Sequence, residues 1–255
     1  MKAASAMGIT ITTRTIIATP QAKSMAETDL FDLMSWMSPA WPIGAFAHSS
    51  GLEWAVEEGH VTNRETTLEW IVAALENGAI HNDLVIFVHA WRAADAGDTA
   101  ALLDVAELAV AAQTGYERQL ESCAQGAAFR RIAISAAGVS RFSCYLESLT
   151  DENLTYPVAS AVLFACRGIP LRMGLTAWLH GAVSNLVSAA QRLVPLGQTD
   201  GQTVLRELRG PILAAVENAH GLPEGDPFAA MGGCTLVADL GCMAHETQYT
   251  RLFRT

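Results

Sequence analysis

From Leu68 onward the apolar residues recur at helical spacing, and this period constrains the fold more than any other feature of the chain. Leu68, Ile71, Val72 and Leu75 stand at i, i+3, i+4 and i+7, behind Thr62 and Glu65, which have the spacing of a capping box. Leu84, Phe87, Val88 and Trp91 repeat the pattern after a weak point at Asn77-Gly78, which predicts two helices or one broken there. Asp98 can cap a helix over 99–113, and Gly115 separates it from a longer one that carries Glu117, Glu121 and Gly126. Pro157 opens and Gly168 closes a further helix, and Pro170 begins a long one with Leu175, Trp178, Leu179, Leu186 and Leu193 along one side. No strand-length alternation bounded by turn signals follows the first 28 residues. The expectation is an all-α, single-domain bundle of eight to ten helices over 29–244, between a flexible arm (1–28) and a distinct closing segment (245–255).

With 255 residues, 51% of them hydrophobic, the chain can bury a large core. A formal charge of −10, with the basic residues scattered, makes nucleic acid and anionic membrane poor partners. No stretch reaches the ~18 apolar residues of a membrane span. Lysine occurs only at Lys2 and Lys23, which excludes a phosphate-loop lysine, a Schiff-base lysine and a Ser-Lys dyad from the body of the chain. The five cysteines are odd in number, widely spaced and without a Cys-x-x-Cys pair, as expected of thiols in a reducing compartment. The opening residues lack a continuous apolar core before a cleavage site, so a cytoplasmic protein is expected.

The chemistry pass returns little. His245-Glu246 starts like a zinc-protease helix, but Tyr249 stands where the second histidine belongs. Cys242 and His245 share a helical spacing and suggest a nickel-binding metallochaperone, although one helix seldom closes a metal shell. His48 beside Ser49 and Ser50 suggests a helical hydrolase, but adjacent residues rarely reach nucleophile-base geometry. In "VPLGQTDGQ", Gln198, Thr199 and Asp200 read as a helix-helix turn with Asp200 or Thr199 as the next cap. No cofactor and no resident metal are expected. Glu53 and Glu57 are placed on the face opposite Leu52 and Val56.

Three segments go beyond generic helices: "SPAWPIGAFAHSSGLEWAVEEG" at 38–59, "SNLVSAAQRLVPLGQTDGQ" at 184–202 and "HETQYTRLFRT" at 245–255. In order and spacing they resemble the urease accessory protein UreF family. The front segment keeps the family's Ser38, Pro39, Pro42, Gly44, Phe46, Ser49, Gly51, Leu52, Glu53 and Trp54, but has His48 and Ser50 where the family commonly has Tyr and Gln. Glu117, Glu121 and Gly126 align with a second family run, in which Ala127 replaces an arginine.

The resemblance implies an all-α homodimer without catalytic residues. Such a protein bridges UreD (UreH in some systems) and the GTPase UreG, so that nickel reaches apo-urease. Interface energy concentrates in aromatic and arginine side chains. The expected partner-binding residues are therefore Tyr249, Arg251, Leu252, Phe253 and Arg254 with His245 and Glu246, joined by Phe46, His48 and Glu53 in front and by Gln198 and Asp200. The closing segment is expected to become ordered on UreD and then to help form the UreG site. Arg192, Arg206, Arg251 and Arg254 are available as a GTPase-activating finger, and the polar residues of "GQTDGQ" as the lining of a nickel passage.

Overall fold

The computed structural model describes residues 22–255, with side chains from Glu27 onward. The expected arm therefore lies outside the described residues as far as position 21, and residues 22–28 already belong to α1 (Ala22–Trp36). The other helices are α2 (Leu52–Glu57), α3 (Arg64–Asn77), α4 (Ala79–Ala96), α5 (Thr99–Ala111), α6 (Tyr116–Ala136), α7 (Ser140–Leu146), α8 (Tyr156–Arg167), α9 (Leu171–Leu193), α10 (Gln198–Glu207), α11 (Arg209–His220) and α12 (Leu236–His245). No strand occurs among the described residues.

Among the described residues twelve α-helices replace the expected eight to ten. The excess comes from α2 and α7, of 6 and 7 residues, too short to display two turns of apolar period, and from a break between α10 and α11 at Leu208. The predicted break in the first long stretch is real: α3 and α4 bend by 41° around Gly78. The cap of α3 sits one residue later than its sequence suggests, because Asn63, not Thr62, accepts from the Thr66 amide while Thr66 Oγ1 accepts from the Asn63 amide. Asp98 caps α5 as expected, through the Ala101 amide at 3.0 Å.

Helix α8 is buried at every position from Pro157 to Ala165, which fits a segment that is small and apolar all round. α4, α5, α6, α7 and α9 pack around it. An aromatic chain ties these layers: Phe87 of α4 lies 5.8 Å from Phe164 of α8 and 5.7 Å from Trp178 of α9, and Trp36 of α1 stacks on Phe164 at 5.7 Å. Gly126 lets α6 touch the 154–155 backbone directly, since a Cβ there would stand 2.1 Å from the main-chain oxygen of Leu154. No single helix among the described residues is long and apolar enough to cross a membrane.

Candidate functional site

Pro39 and Pro42 keep the front segment out of regular helix, and after a 3-10 turn at Ala45–Ala47 the chain reverses at Ser50 (φ 52) and Gly51 (φ 81). A left-handed serine costs ~1 kcal/mol. Its hydroxyl meets that cost by donating to both carboxylate oxygens of Glu121, at 3.0 and 3.1 Å. At Gly51 a side chain is excluded twice over, by the positive φ and by Cys242 Sγ, which would lie 2.7 Å from its Cβ. The turn is thus the seat on which α12 rests.

The closing segment folds back onto this seat. Ser49 N donates to the main-chain oxygen of Thr255 at 2.7 Å and Arg254 N to Ala47 O at 2.8 Å, a short ladder between chain regions 206 positions apart. His48 Nδ1 lies 2.7 Å from Thr255 Oγ1, which also donates to Glu121 at 3.3 Å. The carboxylate of Glu53 accepts the amides of Leu252 and Phe253 at 2.6 and 2.9 Å. His245, fully buried, stands between Glu53 at 3.0 Å and Glu117 at 2.6 Å, with a carboxylate at each ring nitrogen. Arg251 completes the chain through Glu117 at 2.6 Å.

Two further contacts fix the site from the sides. The Arg192 guanidinium, at the end of α9, is clamped between the Phe46 and Phe253 rings, 3.7 and 4.1 Å from their centroids, and donates to Phe46 O at 2.9 Å. Arg118 of α6 bonds Asp83 at 2.7 Å and Glu121 at 3.3 Å. Desolvation pulls its pKa down, but the Glu121 and Asp83 carboxylates outweigh that and hold it above the ordinary arginine value. Burial lowers the pKa of His48, with Glu121 opposing, so its ring favours the neutral form.

The structure brings Phe46, His48, Glu53, His245, Arg251, Leu252, Phe253 and Arg254 to one place. Glu246 lies at its edge, accepting from the Tyr116 amide at 3.2 Å. Glu53 is buried rather than on an outer face, because His245 and the closing backbone supply it with donors. Gln198 and Asp200 do not join: Asp200 caps the Gly197 amide at 3.2 Å, and the Gln198 side chain accepts from Gln191 at 3.4 Å. Tyr249 is fully exposed, as are Leu252 and Arg254 in large part, whereas His245 and Phe253 are spent inside the fold. Sequence reading passed over Arg192 as a clamp, and Glu117 and Glu121 as anchors; their i, i+4 spacing on α6 was the available signal.

This geometry removes two chemical readings. Ser49 Oγ donates to Thr255 O and receives the Glu53 amide, and His48 faces Thr255, so no nucleophile-base pair forms. Both nitrogens of His245 are engaged by carboxylates, and burial pushes the Cys242 thiol up to about 12, against the thiolate a metal needs. Cys234 precedes α12 and donates to Asp239.

Beneath the front segment lies a cavity of about 480 Å³. Trp41 Nε1, Arg118 Nε, Ser122 Oγ, Trp178 Nε1 and Ser184 Oγ line it without a hydrogen-bond partner among the described residues. Gln198, Thr199 and Asp200 are not part of that lining. Outside, α12 presents Leu236, Val237, Leu240 and Met243 to solvent at i, i+1, i+4 and i+7, continued by Tyr116 and Leu120 of α6. These exposed apolar side chains, with Tyr249 and Leu252 of the closing segment, have the make-up of a protein-binding surface.

Comparison with known proteins gives the same direction. A family model described as UreF matches residues 61–209. A urease accessory protein UreF of Rhodopseudomonas palustris (strain BisB5) is 47% identical over 226 residues, covering 89% of this chain and 91% of the relative. UreF proteins of Bradyrhizobium diazoefficiens and of Bradyrhizobium sp. (strain ORS 278) are 44% and 43% identical, covering 89% and 92% of this chain and 91% and 96% of theirs.

Proposed function

Because the chain belongs to the urease accessory protein UreF family, we propose that it is a non-catalytic scaffold of urease maturation, bridging UreD (UreH) and the GTPase UreG so that nickel is delivered to apo-urease. One observation supports this above the rest: front and closing segments are locked together, and the groups they leave in solvent include Phe46, Tyr249, Leu252, Arg254 and the apolar residues of α12. The buried groups act as the mount and the exposed ones as the docking face. The reading includes a cytoplasmic homodimer, for which light scattering of the free chain should give twice 27.2 kDa and a monomer would refute the dimer.

The docking face is tested by replacing only exposed side chains, since removal of 245–255 would also take the buried His245 and Phe253 out of the fold. The double substitution Tyr249→Ala, Leu252→Ala should leave the thermal midpoint unchanged and weaken assembly with UreD and UreG roughly tenfold or more, as loss of two interface anchors does. Unchanged co-elution of all three proteins would refute the assignment.

A further inference from the structure

A second cleft lies between α4, α5 and the loop before the 3-10 turn at Pro227–Ala230, with a volume of about 710 Å³. Ala93, Ala101, Val105 and Leu108 line it with apolar surface, and Phe228, 69% exposed, lies at its lip. Its charged groups are mostly acidic. Asp98, Asp104, Glu224 and Asp226 all lie on the exposed rim, and among the described residues neither Asp104 nor Glu224 has a hydrogen bond or ion pair.

The cleft's single arginine is outnumbered by these four carboxylates. Arg92 turns its guanidinium to the backbone, donating to Pro223 O at 3.1 Å, Leu222 O at 2.8 Å and His220 O at 3.4 Å. Those bonds hold the loop in place, so the cleft is formed before anything enters it. His89, buried at its inner side, has its pKa lowered by desolvation and by Arg92, with Asp226 opposing, and contributes no fixed positive charge.

We propose that this cleft docks a basic segment of a partner polypeptide, an aliphatic or aromatic side chain entering beside Phe228 and flanking lysines or arginines reaching Asp104 and Glu224. The floor supplies burial for an apolar anchor, and the two unpaired carboxylates supply charge complementarity that a neutral or acidic segment lacks. The site is separate from the docking face of the proposed scaffold and stands whether or not that reading holds.

The test is fluorescence anisotropy of the full chain with a fluorescein-labelled peptide of repeated Leu-Lys-Lys, beside its Leu-Glu-Glu counterpart. The Lys peptide should bind, and more weakly as salt rises. Asp104→Asn with Glu224→Gln should weaken it roughly fivefold to tenfold, as should Phe228→Ala. Glu69→Gln with Glu76→Gln, exposed carboxylates on α3, is the control for attraction by net charge alone. Failure of the Lys peptide to bind, equal binding of the Glu peptide, or equal loss in the α3 control would overturn the proposal. So would sedimentation showing a dimer that Phe228→Ala alone dissolves, which would give the cleft to a second copy of the chain.

Discussion

His48 carries a directional pH dependence. Its pKa in the folded chain lies below the ordinary 6.5, burial being the main cause. Between the lowered value and 6.5 the unfolded chain binds more protons than the folded one, so stability rises with pH across that window and is fully present above it. Protection factors of the 247–255 amides, exchange measured against the intrinsic rate at each pH, should therefore fall as pH drops below 6.5, and His48→Gln should flatten that response; an identical response in the variant would refute it. Glu53 is the other decisive residue. Glu53→Ala leaves two amides and Nε2 of His245 without their partner and should cost on the order of 3 kcal/mol in urea denaturation, with Glu53→Gln costing less. Equal midpoints for wild type and Glu53→Ala would refute the network. Local pattern placed Glu53 on a solvent face because its donors lie 192 to 200 positions away, and no periodicity reports such a partner.

At the scale of elements, what was legible followed backbone chemistry close in sequence. Asp98, Gly115, Pro157, Gly168 and Pro170 bound their helices as expected, because capping and proline geometry act within a few residues. Position against distant elements was illegible, and two glycines show why. A Cβ at Gly126 would meet the Leu154 oxygen at 2.1 Å, and one at Gly241 would meet Trp54 Cε3 at 2.5 Å. Gly126→Ala disturbs the packing of α6 against the start of α8 and should cost about 1–3 kcal/mol, a fall of several degrees in the thermal midpoint. Gly241→Ala acts on α12 alone: it should lift that helix from α2 and speed proteolysis within 245–255, with a smaller change in midpoint. The reverse order of effects would contradict the roles assigned to α6 and α12.

For the whole molecule, two of the four arginines available from sequence are engaged by the fold. Arg192 is held between two rings and Arg251 pairs with Glu117, whereas Arg206 meets only its exposed neighbour Glu207 at 3.5 Å and Arg254, on the closing segment, has no side-chain hydrogen bond or ion pair among the described residues. If the scaffold also stimulates the GTPase, Arg254→Ala should lower single-turnover GTP hydrolysis by UreG in the complex by roughly 10³, while a pure scaffold leaves the rate within a few-fold. Unchanged turnover with intact assembly would eliminate the finger. The ladder joining Ala47 and Ser49 to Arg254 and Thr255 bears also on synthesis. Ser49 leaves the ribosome 206 residues before its partner, a delay of about 10 to 40 s at the usual elongation rates. A nascent chain that has not reached Arg254 and Thr255 therefore leaves Ala47 O and Ser49 N unpaired, and the proposed docking face is the last part of the molecule to be built.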